Sequence, residues 1–328
     1  MKAIKMLGFL WVMVIFVSAV AHAQAPANEI ILGCEMSFVS SPVWIAENRG
    51  YFKEEGVNVI IKEFDSGKTA LDTMLNDGNL NMVTVAQTPV VFNSFKRNDY
   101  VIIGAMVYSD NDVKVLVRRD KGIKKPSDLR GKKVGITSGS TGHFFLGLFL
   151  TYNGLGISEV DIIALEASKL PQALAEGRVD AISTWEPHIL NAGRLLGEKA
   201  LILSKEGIFR EDFYFAVDRK FAENNAETLR RFLKAIQRAE EFIWKNREAS
   251  INIVSKRLKV NRELTASVWD AFEFRLILDQ SILTSLEHEA RWAIREGLVN
   301  KRKVPNYLEF IHMGPLELVA PEAVTIIR

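Results

Sequence analysis

The chain has 328 residues, with 42 basic and 40 acidic side chains, 48% hydrophobic residues and a single cysteine. That is ordinary globular composition, and the length suits two domains or lobes. One cysteine excludes an internal disulfide, and the small net charge offers nucleic acid and anionic lipid no electrostatic hold.

The first element in the chain is an export signal. Lys2 and Lys5 precede the apolar run 6–17, and small residues continue to Ala21-His22-Ala23. A basic start, an apolar run of about a dozen residues and an A-x-A site have the form of a cleaved signal peptide over 1–23, and the run is short for a span of roughly 20 residues. Its removal takes two lysines and no acids, so the mature chain has zero formal net charge. Ile31-Leu32-Gly33-Cys34 superficially resembles a lipoprotein cleavage box. Asn28 and Glu29 separate it from the apolar run, however, and Cys34 reads as a buried strand cysteine. No second apolar run reaches the length of a membrane span, so the mature protein is expected to be soluble and periplasmic.

Strands and helices then alternate. The spacing predicts strands at 29–35, 57–63, 82–85, 100–108 and 113–118, with helices at 43–49, 69–76 and 89–96 between the first four. A second cycle has strands at 133–137, 160–166, 181–184, 200–203 and 214–217, and helices at 142–153, 170–176 and 189–193. Such alternation implies an α/β fold with mostly parallel sheets. After Asp218 the pattern becomes helical, at 226–246, 248–258, 262–272 and 285–296. Phe232, Ile236, Ala239, Phe242 and Ile243 make one apolar face.

Two cycles suggest two lobes over a cleft, and ligands of open α/β sheets sit beyond the carboxyl ends of the strands. Four strand-to-helix loops fall there: residues 37–42, 65–69, 86–89 and 138–142. Each offers hydroxyls and free backbone N–H groups at a helix N-terminus, which favours negative charge or a hydrogen-bonding ligand. The same Ser, Thr and Asp residues are also ordinary helix caps. The fourth loop, Ser138-Gly139-Ser140-Thr141-Gly142, lacks the G-K-[ST] ending of a phosphate loop, and no G-x-G-x-x-G occurs there. No G-x-S-x-G elbow makes a nucleophile of a serine, so His143 reads as a first-turn helix residue rather than a base. The histidines are scattered, with no metal-ligand spacing. No catalytic, metal or cofactor residues are therefore assigned. In the stretch Asp180-Ala-Ile-Ser-Thr-Trp185-Glu186-Pro187, a strand ends in an indole that can wall a pocket. Glu186 has three candidate roles: meeting a ligand amine, accepting from a backbone amide, or capping the helix.

Several ordered stretches carry a family resemblance. They are ILGCEMSFVSSPVWIAENRGYFKEEGVNVIIKEFDSG, ALDTMLNDGNLNMVTVAQTPVV, IKKPSDLRGKKVGITSGSTG and LPQALAEGRVDAISTWEP. In order and spacing the chain resembles the solute-binding proteins of ABC importers, specifically the nitrate/sulfonate/taurine-type group that includes binders of pyrimidine thiamin precursors. The resemblance spans essentially the whole mature chain. It implies a type II periplasmic-binding fold of two α/β lobes joined by two crossing strands, with extra C-terminal helices. Lobe 1 would comprise 26–112 and 218–328, lobe 2 would comprise 117–213, and the crossings would fall near 112–116 and 213–217. It implies a monomer that closes on a small molecule and delivers it to an inner-membrane ABC permease. Carried over by position, the ligand would meet Ser37, Phe38, Ser41, Trp44, Ser66, Gly67, Gln87 and Thr88 from lobe 1. Ser138, Ser140, Thr141, Trp185 and Glu186 would close on it from lobe 2. Two features depart from the commoner pattern. The third loop is Ala86-Gln87-Thr88-Pro89, and no arginine sits in any of the four loops, so a sulfonate or nitrate would rest on neutral donors. Phe38, Trp44 and Trp185 could instead sandwich a planar heterocycle. Two alternatives accompany this reading: a binding protein that feeds a separate sensor, and an enzyme on the same fold. Enzymes of the yeast-type pyrimidine-precursor class carry a cysteine-rich signature, which the lone Cys34 does not match.

Overall fold

The structure is a computed structural model and describes residues 28–327. The expected signal peptide at 1–23 lies outside the described residues. The first half of the chain forms β1 (Glu29–Glu35), α1 (Ser41–Asn48), α2 (Tyr51–Glu54), β2 (Asn58–Phe64), α3 (Gly67–Asp77), β3 (Met82–Ala86), α4 (Gln87–Ser94) and β4 (Tyr100–Ser109). A second run holds β5 (Lys114–Arg118), β6 (Lys133–Ile136), α5 (Thr141–Tyr152), β7 (Asp161–Ala164), α6 (Leu170–Ala175), β8 (Ala181–Thr184), α7 (His188–Leu196) and β9 (Ala200–Ile202). The chain ends with β10 (Glu211–Asp218), α8 (Arg219–Asn224), α9 (Ala226–Lys245), α10 (Arg247–Leu258), α11 (Arg262–Trp269), β11 (Phe272–Ile277), α12 (Gln280–Arg295) and α13 (Gly314–Glu317).

These elements form two lobes, each around one sheet. A six-stranded sheet has the order β11-β4-β10-β3-β1-β2, and a five-stranded sheet the order β7-β6-β8-β5-β9. The chain leaves the first sheet after Ser109, enters the second at Lys114, leaves it after Ile202 and rejoins the first at Glu211. Residues 213–217 therefore lie within β10, which pairs antiparallel with both β3 and β4. The outgoing and returning strands run in opposite directions, so both sheets are mixed: β1 is parallel to β2 and β3, and β6 to β7 and β8, while β5, β10 and β11 are antiparallel to their neighbours.

Another departure from the sequence reading is β11, where a helix was expected to continue to residue 272. Phe272, Phe274 and Leu276 alternate with the exposed Glu273 and Arg275, and this period-two pattern builds an edge strand against β4. The helical region otherwise behaves as its spacing implies. Phe232, Ile236, Ala239 and Ile243 of α9 are buried, and Phe52 stacks on Phe232 with ring centres 5.3 Å apart. Phe242 is only partly buried, with the Arg49 guanidinium 4.9 Å above its ring.

Two glycines bring helix starts onto strand ends. A Cβ on Gly67 would lie 2.8 Å from the Thr84 carbonyl oxygen and from Val85 Cα, and one on Gly142 would lie 2.5 Å from the Ser183 carbonyl oxygen. Only the absence of a side chain lets α3 and α5 start this close to β3 and β8.

Candidate functional site

The carboxyl ends of the parallel strands of the two lobes face each other. Between them lies a cavity of about 10 Å³ lined by Glu35, Ser66, Gly67, Lys68, Ala86, Pro89, Ser140, Thr141, Trp185, Glu211 and Phe213. That is room for about one water molecule, so the lobes are closed on each other. Larger depressions lie elsewhere. One of about 850 Å³ is bounded by β5, α7, β9 and α11, and one of about 350 Å³ by Gln87, the 208–210 segment and α12. The small cavity is nevertheless the candidate site, because strand ends and helix N-termini of both sheets converge on it.

Glu35 ends β1 and is buried, and its carboxylate accepts from the Gly67 backbone N–H at 2.6 Å. Its backbone N–H donates to Thr84 Oγ1 at 3.0 Å, which fixes the strand end. Burial pushes the Glu35 carboxyl up to about 8, against the Gly67 N–H, and the nearby Asp112 charge adds to the rise. Trp185 and Ser37 face the same carboxylate. Neither the indole N–H nor the Ser37 hydroxyl makes a hydrogen bond of normal geometry, and Glu35 Oε1 has no partner.

Behind Glu35 the two crossings contribute more acid. Burial and then Asp112 hold Glu211 well above the carboxylate range, while the Thr141 hydroxyl at the start of α5 works against them. Asp112 is itself pushed up to about 6 by burial, with Lys114 opposing. The Lys114 ammonium lies 3.2 Å from Glu186. Glu186 accepts from the Leu190 N–H of α7 at 2.9 Å, and its own N–H donates to Asp112 at 3.1 Å. At the rim, Ser168 donates to Asp65 across the cleft at 3.4 Å. Burial pushes His188 down to about 4, although Asp65 faces it.

Among the residues expected from sequence, Ser66, Gly67, Ser140, Thr141 and Trp185 share this cavity and Ser37 sits beside it. Ser66 also caps α3, accepting from the Thr69 N–H at 3.2 Å, and the Ser140 hydroxyl donates to the Thr137 carbonyl at 2.7 Å. The others lie elsewhere. Ser138 is exposed. Phe38 is fully buried against Phe272, and the Ser41 hydroxyl donates to the Phe38 carbonyl. Trp44 donates to the Ser37 carbonyl at 3.3 Å beneath the Arg257 guanidinium. Gln87 donates to the Arg210 carbonyl at 3.1 Å and, with Thr88, faces Glu289. Glu186 borders the 850 Å³ depression. It does bond a backbone amide, one of the three roles its sequence context allowed.

Sequence reasoning missed Glu35, Lys68, Asp112, Lys114, Glu211 and Phe213. A signal was available for two of them: Glu35 is a charge closing an otherwise apolar strand, and Glu211 is a charge opening one.

Residues 37–250 match the family described as NMT1/THI5 like. The chain belongs to the NMT1/THI5-like family. Relatives include a Bacillus subtilis protein named for aliphatic sulfonate binding, 26% identical over 280 residues that cover 84% of this chain and 83% of the relative. The taurine-binding periplasmic protein of Escherichia coli is 25% identical over 222 residues, covering 66% of this chain and 67% of that one. Among solved structures, the alkanesulfonate-binding protein of Xanthomonas axonopodis pv. citri bound to MOPS superposes with a TM-score of 0.75 at 17% identity. That superposition covers 88% of this chain and all of the other. It shows the two-lobed periplasmic-binding fold for this NMT1/THI5-like chain, in agreement with its sheet order and double crossing. No helix among the described residues is long and apolar enough to cross a membrane.

Proposed function

We propose that this protein is the solute-binding component of an ABC importer. It captures a small molecule between its lobes in the periplasm and presents it to a membrane permease. The observation that carries this reading is the convergence on one small cavity of strand ends and helix starts from both sheets, with the buried Trp185 N–H making no hydrogen bond of normal geometry. A buried donor without an acceptor costs roughly 1–3 kcal/mol, and a ligand acceptor would recover that. The lobes part by hinge motion at the two segments that change sheets, residues 110–113 and 203–210. The lobe divisions expected from the sequence, 26–112 plus 218–328 and 117–213, put the return crossing later, at 213–217, which lies within β10. The signal over 1–23 exports the chain, which then acts as a monomer without cofactor or metal.

A ligand that binds only the folded chain raises its melting temperature by mass action, by about 2.7 kcal/mol of stability at a concentration 100 times Kd. A thermal-shift screen of the mature chain over sulfonates, nitrate, carboxylates, amines and pyrimidines is expected to give a stabilising hit that is recovered unchanged. Chemical conversion of the hit would overturn the binding-only reading. Mass analysis of the exported protein is expected to place its first residue at Gln24.

A further inference from the structure

We infer that the cleft selects a solute presenting positive charge or several N–H donors, such as an amidinium, a diamine or an amino-substituted heterocycle, and rejects sulfonate and nitrate. This rests on the solute-binding reading and names the ligand class for the same site.

The argument starts from the helix N-termini, which would be the natural seats for an anion. In this chain the protein's own carboxylates take them. The start of α3 donates from Gly67 to Glu35. The Thr141 hydroxyl at the start of α5 faces Glu211, and the first turn of α7 donates from Leu190 to Glu186. Gln87 and Thr88, which open α4, face Glu289 of α12. Where these carboxyls are ionised, an incoming sulfonate would meet acceptors where it needs donors.

The cations nearby are also engaged. Lys68 lines the cavity, but its ammonium lies 2.6 Å from Asp72. Lys114 is held by Glu186 and by the carbonyls of Asn111 and Asp112. Beside the Trp185 N–H, what remains for a ligand is acceptor capacity. Glu35 Oε1 and Glu211 Oε2 have no hydrogen-bond partner, and their side chains are 3% and 4% exposed on the cavity wall. Two buried, unpartnered carboxylate oxygens in a cavity that also holds an aromatic wall suit N–H donors on a flat or cationic group. A divalent metal ion does not fit, since no cluster of three or more His, Cys, Asp or Glu among the described residues could hold one.

The titratable groups around Glu35 are Asp112 from the outgoing crossing, Glu211 from β10, Lys68 of α3 on the cavity wall and the neutral Cys34 thiol beside it on β1. A cationic ligand needs Glu35 and Glu211 ionised, so its binding releases protons and tightens as pH rises. A carboxylic acid that instead donated to an anion would give the opposite slope.

The test is calorimetric titration of the mature chain at pH 6, 7 and 8 with benzamidine, 2-aminopyrimidine and propane-1,3-diamine, and with ethanesulfonate and nitrate. At least one nitrogen compound is expected to bind, with affinity rising by up to tenfold per pH unit for each of the two protons released. Glu35→Gln and Glu211→Gln are each expected to weaken it at least tenfold while leaving the far-UV circular dichroism and cooperative melting in place. Binding of ethanesulfonate or nitrate that strengthens on acidification overturns the ligand class and leaves solute capture standing. Silence from the nitrogen compounds overturns it as well, and silence from both sets overturns solute capture too.

Discussion

Gly142 has no room for a methyl group. The built Cβ would sit 2.5 Å from the Ser183 carbonyl oxygen, a backbone atom that cannot swing away. Gly142→Ala must therefore push the start of α5 off β8, at a cost of about 1–3 kcal/mol. A fall in denaturant midpoint with an unchanged slope would confirm this, and an unchanged midpoint would show that the helix relaxes freely. Trp185 makes the contrasting case. Its indole closes the cavity and packs edge-on against His188 with ring centres 5.7 Å apart. Trp185→Ala is expected to weaken ligand binding at least tenfold, read by calorimetry, whereas unchanged affinity would take it out of the site. Cys34 illustrates what composition could and could not say. Its fate as a buried strand thiol was legible from its apolar neighbours. The cause of its inertness is not: burial pushes the thiol up to about 12, so alkylation of the native protein at neutral pH is expected to be negligible and to become rapid only on unfolding.

At the scale of elements, legibility followed the strength of the local period. The apolar face of α9 repeats over five turns, and its core residues are buried as read. Phe232→Ala is accordingly expected to lower stability by about 3–5 kcal/mol, measurable as a large drop in melting temperature. Short elements were harder. The strand β11 occupies six residues after a helical stretch, and only the Phe-Glu-Phe-Arg-Leu alternation marks it. The loops before α3 and α5 were identifiable because small residues between a strand and a helix leave an open N-terminus. The first loop divides: Ser37 sits beside the cavity, facing Glu35, while its neighbours are packed away from it. Ser37-Phe38-Val39-Ser40-Ser41 has the right composition, and its chain makes a short 3-10 turn that buries Phe38 and Ser41. Composition says that a loop is polar or small, but which way it folds depends on packing partners such as Phe272, more than 200 residues away.

The whole molecule adds what no local window contains: carboxylates from four distant segments gathered near the join between lobes. Glu35, Asp112, Glu186 and Glu211 are each unremarkable in sequence, and only the double crossing brings them together. Their shared burial has a consequence for stability. Glu35 and Glu289 are pushed up to about 8, Glu186 to about 7, and Asp112 and Asp212 to about 6, with burial the leading cause in each. The folded chain therefore holds protons that the unfolded chain has already released above the ordinary carboxylate range. Their contribution is full at low pH and is lost as pH rises through those folded values. His188, pushed down to about 4, acts in the opposite sense: its contribution is present above its ordinary value of 6.5 and is lost as pH falls towards 4. Above pH 6.5 the unfolded-state protons on His188, and on His143 and His312, which burial also pushes down, fade away, so the acids dominate the slope. Between pH 6.5 and 8 the ligand-free protein is expected to lose melting temperature steadily, each retained proton contributing up to a factor of ten in the folding constant per pH unit. Denaturation of the wild type beside Glu35→Gln and Glu289→Gln measures this directly. Each substitution should flatten the slope by about one proton. A wild-type midpoint that rises across this window would show that these carboxylates are ionised in the folded chain.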